Sequence, residues 1–215
     1  MKEIARKEYG YIFYEVDNKF MLSTLCGTVG LFTVDFFLNE KETENYQEQG
    51  IDFINSLAGD VIRFYDKYWN RCIITNLEYL VFGIFKSESY ESYSIYRIDN
   101  QNLQIDKTES WHNERFKTDG YTFNGIALEQ KLFEKHKHLI YSIPQEIYKC
   151  SLKKHNSTDN KTENKIVLEY KNHGIINKFT IDIFDENNNQ NLTESVKKFV
   201  ERILNETNEI KKNCG

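Results

Sequence analysis

The stretch FMLSTLCGTVGLFTVDFFL, Phe20–Leu38, decides how this chain is to be read. Its nineteen residues carry one charge, Asp35, so it approaches the roughly 20 apolar residues of a membrane-spanning helix. Its internal pattern points elsewhere. Gly27 and Gly30 bracket Thr28-Val29, which is a turn signal. Beyond that turn Phe32, Val34, Phe36 and Leu38 fall on one face, and Thr33 and Asp35 fall on the other. That is the period of two that belongs to a strand. Thr24, Thr28, Val29, Thr33 and Val34 are β-branched and suit extended backbone. An aspartate drawn to the bilayer centre would cost roughly 2.5–3.5 kcal/mol. The expectation is two antiparallel strands, 19–26 and 30–38, in a water-soluble core.

The flanks extend this unit. YIFYEV (Tyr11–Val16) alternates like a strand, and Asp17-Asn18-Lys19 supplies a turn. After the hairpin, Asn39 and Glu42 have the spacing of a capping box. Glu40, Glu42 and Glu44 suit the positive end of a helix dipole. Tyr46, Phe53, Ile54, Leu57, Ala58, Val61 and Phe64 then recur at spacings of three and four. They predict one long helix over 40–66, weakened at Gly50 and Gly59. The N-terminal unit, 1–75, reads as β-β-β-α.

The remainder, 76–215, reads as a second α+β unit ending in β-β-α, with the boundary near residues 70–80. Leu77–Lys86, Tyr93–Asp99 and LQID are strand-like, and IYKCSLK also allows a strand. Leu128, Leu132, Phe133, His136, Leu139 and Ile140 mark a short helix. KIVLEYK and IINKFTIDIF flank Asn172-His173-Gly174 as a hairpin. A final helix over 192–210 presents Val196, Phe199, Val200, Ile203, Leu204 and Thr207, with Asn191 and Glu194 spaced as a capping box. FTVDFF (Phe32–Phe37) and FTIDIF (Phe179–Phe184) match at four of six positions. Either two related ββα units arose by duplication, or strands of one composition look alike. The fold class expected is α+β, mainly antiparallel sheet with helices on one face and two ββα-containing subdomains.

Composition narrows the function classes. Of 215 residues, 40% are hydrophobic, which is enough for a real core. The net charge of -5 and pI of about 5.6 argue against nucleic-acid binding and suit a basic protein partner. The N-terminal residues lack the apolar core of a signal peptide, so a cytoplasmic location is expected, without membrane association. Cys26, Cys72, Cys150 and Cys214 form no CxxC pair and read as free thiols.

No motif carries chemistry by itself. HExxH, the phosphate-binding GxxxxGK[ST] and GxSxG are all missing. His136-Lys137-His138 offers two imidazoles, but residues two apart on a helix point to different sides. We therefore assign from sequence no metal site, cofactor or catalytic residue. WHNERF (Trp111–Phe116) gathers His112, Glu114 and Arg115 and allows acid–base work, but reads first as a solvated loop. The most partner-like surface is SESYESYSIYR, where Glu88, Tyr90, Glu91, Tyr93 and Tyr96 combine rigid contact area with negative charge. The competing reading is a hairpin whose tyrosines half-bury on the sheet.

The acidic, motif-free α+β character, with LCGTVGLFTVDFFLNEKE leading into a long helix, resembles bacterial immunity proteins of polymorphic-toxin and contact-dependent inhibition systems. The resemblance implies a protein that neutralises a cognate toxin by occluding its active site. It transfers no individual residue. Two other classes stay open: an enzyme using the Trp111–Phe116 loop, and a structural or regulatory module that self-associates through a sheet edge. The oligomeric state is left open.

Overall fold

Phe20–Leu38 doubles back on itself. In the computed structural model, which describes residues 1–28, 30–85, 94–106, 123–149, 165–182 and 192–214, four strands form one antiparallel sheet in the order β1-β2-β3-β4. These are β1 (Lys2–Lys7), β2 (Tyr11–Val16), β3 (Lys19–Cys26) and β4 (Phe32–Phe37). β3 and β4 are in register from Met21 opposite Phe37 to Cys26 opposite Phe32. Gly27 makes the turn possible. Its φ is +93°, and a Cβ there would lie 2.1 Å from the Gly30 carbonyl oxygen.

The inward face is the one the alternation marked. Phe13, Leu22, Val34 and Phe36 from the sheet bury against Ile54, Leu57, Ala58 and Val61, with Phe32 and Leu38 half-buried at the margin. Each large side chain removed from water contributes roughly 1.5–3 kcal/mol. β1 is a fourth strand that the three-strand reading missed. KEIARK shows no clean alternation, and only Ile4 and Ala5 lean on the core. Its charged side chains, including the Glu3–Arg6 pair, suit an exposed sheet edge.

The expected single helix is two. α1 (Glu40–Gln49) and α2 (Ile51–Arg63) part at Gly50, and a 3₁₀ turn over Tyr65–Arg71 follows. Gly50 has φ +64° and ψ -142°, and its N–H donates to the Tyr46 carbonyl, closing α1. That backbone is open essentially to glycine alone. The hydrophobic spacing crossed the break without registering it. The predicted capping box is present: Glu42 N–H donates to Asn39 Oδ1, and Asn39 N–H donates to Glu42 Oε2.

By its contacts the chain divides into two units, Met1–Ile74 with Ile143–Ile147, and Thr75–Ser142 with Tyr148–Gly215. The short returning segment joins the first unit through backbone hydrogen bonds. Ile74 N–H donates to Ile143 O, Gln145 N–H donates to Cys72 O, and Ile73 forms a bridge with Pro144. IYKCSLK does not begin as a strand, since Gln145–Lys149 is a 3₁₀ turn and the residues from Cys150 lie outside those described.

The second unit holds a six-stranded antiparallel sheet. Its strands are β5 (Leu77–Phe85), β6 (Ser94–Ile98), β7 (Leu103–Asp106), β8 (Gly125–Ala127), β9 (Lys165–Asn172) and β10 (Ile175–Asp182). The order is β10-β9-β5-β6-β7-β8. The β9–β10 turn places His173 and Gly174 at φ 49° and 77°, as a tight primed hairpin turn requires. α3 (Gln130–His136) continues into a 3₁₀ turn over Lys137–Tyr141, and α4 (Glu194–Asn213) lies against β5 and β6. α4 buries Val196, Phe199, Val200, Ile203, Thr207 and Ile210, one face of its helical repeat. Its N-cap is Thr193 rather than the expected Asn191, which lies outside the described residues.

The two FT-D strands are alike only in part. β4 and β10 are each the second strand of a hairpin and each lies at a sheet edge. The helices differ: α2 packs on β3, a strand of its own hairpin, while α4 packs on β5 and β6. The last two residues of FTIDIF and the connection into α4 lie outside the described residues.

No helix among the described residues is long and apolar enough to cross a membrane.

Candidate functional site

Of the surface expected from SESYESYSIYR, Glu88, Tyr90, Glu91 and Tyr93 lie outside the described residues. Tyr96 corrects the reading. It sits in β6 at 0% exposure, its ring 5.8 Å from Phe82, and burial pushes its hydroxyl up to about 12. Its tyrosine type and acidic neighbours suggested a surface, but β6 is an inner strand between β5 and β7 that buries Ser94, Ile95, Tyr96 and Ile98 alike. The Trp111–Phe116 loop also lies outside the described residues.

In the first unit the exposed chemistry collects on α1, a helix that buries none of its residues. Two contacts hold it. Tyr46 meets the rings of Phe13 and Phe20 edge-on, each at 4.8 Å. Glu42 accepts two hydrogen bonds from Arg71, at 2.6 and 2.9 Å, and Arg71 also donates to the Phe37 carbonyl. Burial alone would raise the Glu42 carboxyl, but the Arg71 and Asn39 hydrogen bonds outweigh it and leave the group below its ordinary range. The outer face is different. Glu40, Glu44 and Glu48 stand one turn apart, exposed, with no ion-pair partner among the described residues. The last turn of α1 has no basic residue to answer the negative end of the dipole.

In the second unit a polar cluster joins the α3 terminus to α4. His136 is wholly buried, and its Nδ1 is in hydrogen-bond contact with Glu206 Oε2. His138 Nε2 lies 3.2 Å from the other oxygen of the same carboxylate. Lys135 pairs with Glu209, one turn further along α4. Burial would raise the Glu206 carboxyl, but hydrogen bonds from His136 and His138 take it down to about 2. The two imidazoles meet one carboxylate because α3 stops at His136 and Lys137 begins a 3₁₀ turn. The divergence expected of residues two apart holds only inside a continuous α-helix. Ligand atoms of His136, Glu206 and Glu209 all lie within 4.8 Å of one another. The HKH triplet was visible in sequence. Its carboxylate partners, about seventy residues away, carried no signal that tied them to it.

Compared with known family models, curated proteins and solved structures, the chain has no significant match.

Proposed function

We propose that this chain is an acidic binding protein that blocks a basic protein partner, with the outer face of α1 as a principal contact. A toxin domain neutralised at its active site is a partner of the right chemistry. The observation that carries this reading is the exposed row Glu40, Glu44 and Glu48, without an ion-pair partner among the described residues. Like charges four apart on a helix each cost about 0.2–0.5 kcal/mol. Lysines between them would remove that cost, and on the outer face of α1 no packing compensates for it, since the helix meets the core through Tyr46 on its other side. The arrangement becomes favourable when a positive surface covers it, and it would also speed capture of that surface. The net charge of -5 acts in the same direction.

The test uses the full chain as bait against lysate of its native host, in parallel with Glu40→Lys/Glu44→Lys/Glu48→Lys. Wild type is expected to retain a basic protein, whose activity it suppresses when the two are mixed. The triple variant, with an unchanged circular dichroism spectrum, should retain far less, and added salt should weaken wild-type capture. Equal capture and equal suppression by the triple variant would remove α1 from the interface. Failure of wild type to retain any basic protein would end the proposal.

A further inference from the structure

We propose that His136, His138, Glu206 and Glu209 form a binding site for a divalent transition-metal ion of the zinc type, distinct from the acidic face of α1 and independent of its role.

The donor set fits that class of ion. Two imidazoles and two carboxylates suit zinc and its neighbours, whereas magnesium and calcium favour an all-oxygen shell. The donors come from two elements. Glu206 and Glu209 are one turn apart on α4 and face the same way. His136 closes α3, and His138 sits in the 3₁₀ turn that follows. Donors about 2.0–2.2 Å from zinc lie at most about 4.4 Å apart. The donor atoms of His136, Glu206 and Glu209 all lie within 4.8 Å of one another, so at most a small side-chain adjustment closes them on one ion. His138 Nε2 lies 3.2 Å from the Glu206 carboxylate and, outside that set of three, would have to turn toward it to serve as the fourth donor.

Electrostatics supports the same assignment. Two carboxylates this close repel unless positive charge lies between or beside them. Lys135 now supplies it to Glu209, from a side chain that is 55% exposed and on a flexible stem. The histidine side holds more firmly: His136 is fully buried and His138 Nδ1 is 3.1 Å from the Lys135 carbonyl oxygen. An ion arriving from solvent displaces a mobile ammonium from Glu209 and meets imidazoles already in position. Bound there, it would tie α3 to α4.

The test is titration of the chelator-treated full chain with Zn²⁺ by calorimetry, with Co²⁺ as a spectroscopic substitute whose visible absorption reports imidazole and carboxylate ligation. One equivalent of Zn²⁺ should bind and raise the thermal midpoint, as any ligand selective for the folded state does. His136 is buried, and its replacement risks the fold, so the variants are His138→Gln and Glu209→Gln, both at partly exposed positions. Each should keep the metal-free midpoint near that of wild type. Each should also weaken Zn²⁺ by at least the roughly 10–100-fold that follows loss of a supporting partner of a metal ligand. The double variant should lose the Co²⁺ absorption. Absence of stoichiometric Zn²⁺ binding by wild type would overturn the proposal. So would unchanged Zn²⁺ affinity in the double variant, which would place the ion elsewhere.

Discussion

At the scale of single residues, the first unit depends on a carboxylate whose environment can be read in detail. Glu42 closes the Asn39 capping box and accepts two hydrogen bonds from Arg71, and the net effect holds its carboxyl below the ordinary range. A carboxyl whose pKa is depressed by folding stabilises the protein at pH values above its unfolded pKa, about 4.3 for glutamate. That stabilisation disappears as pH falls through the lower folded value. Glu42→Gln should therefore be less stable than wild type at neutral pH, and the gap should narrow progressively as the solution is acidified below the ordinary carboxyl range. Urea midpoints for both proteins across that range check this, and a gap that stays constant with pH would refute it. Tyr96 carries a different lesson at the same scale. Its residue type and acidic neighbours pointed outward, yet its position on an inner strand buried at nearly every residue decided its burial.

At the scale of elements, the α1–α2 break and the α3 terminus show how small departures from regular helix redirect side chains. Gly50 and Gly59 both looked like weak points in one long helix. The structure separates them: Gly50 sits at φ +64°, whereas Gly59 lies inside α2 with open space where a Cβ would go. Gly59→Ala should stabilise by about 0.5–1 kcal/mol, because alanine loses less freedom on entering a helix. Gly50→Ala should destabilise by about 1–3 kcal/mol, the cost of forcing a side chain into that backbone region. Opposite shifts in denaturation midpoint are the expected result, and stabilisation by both substitutions would mean that α1 and α2 run on continuously. At His136 the change from α to 3₁₀ winding has the comparable effect of bringing two imidazoles onto one carboxylate.

At the scale of the whole molecule, the chain leaves its first unit at Ile74 and contributes to it again at Ile143–Ile147. A fragment ending at Ile74 would lose the Ile73 bridge to Pro144 and the hydrogen bonds of Ile74 N–H and Cys72 O with that segment. Unpaired backbone groups near a buried core are costly. The fragment is expected to melt less cooperatively than the same residues in the full chain, with partial recovery when a peptide spanning 143–147 is added. Equal protection of its core amides from hydrogen exchange in fragment and full chain would show that the segment is dispensable. What the sequence determined by itself was local: the period-two alternation of Phe32–Leu38, the Gly27 turn, the Asn39 cap, the His173-Gly174 hairpin and the buried stripe of α4. Each depends on residues a few positions apart, whose backbone preferences and hydrophobic faces act before any distant contact forms. Only the tertiary structure decided the rest. The β1 edge strand has too little apolar pattern to announce itself, the return of Ile143–Ile147 combines backbone pairing with two isoleucines that no local pattern marks, and the meeting of His136 with Glu206 joins groups about seventy residues apart. Such contacts are made through space between groups far apart along the chain, and spacing along the chain does not record them.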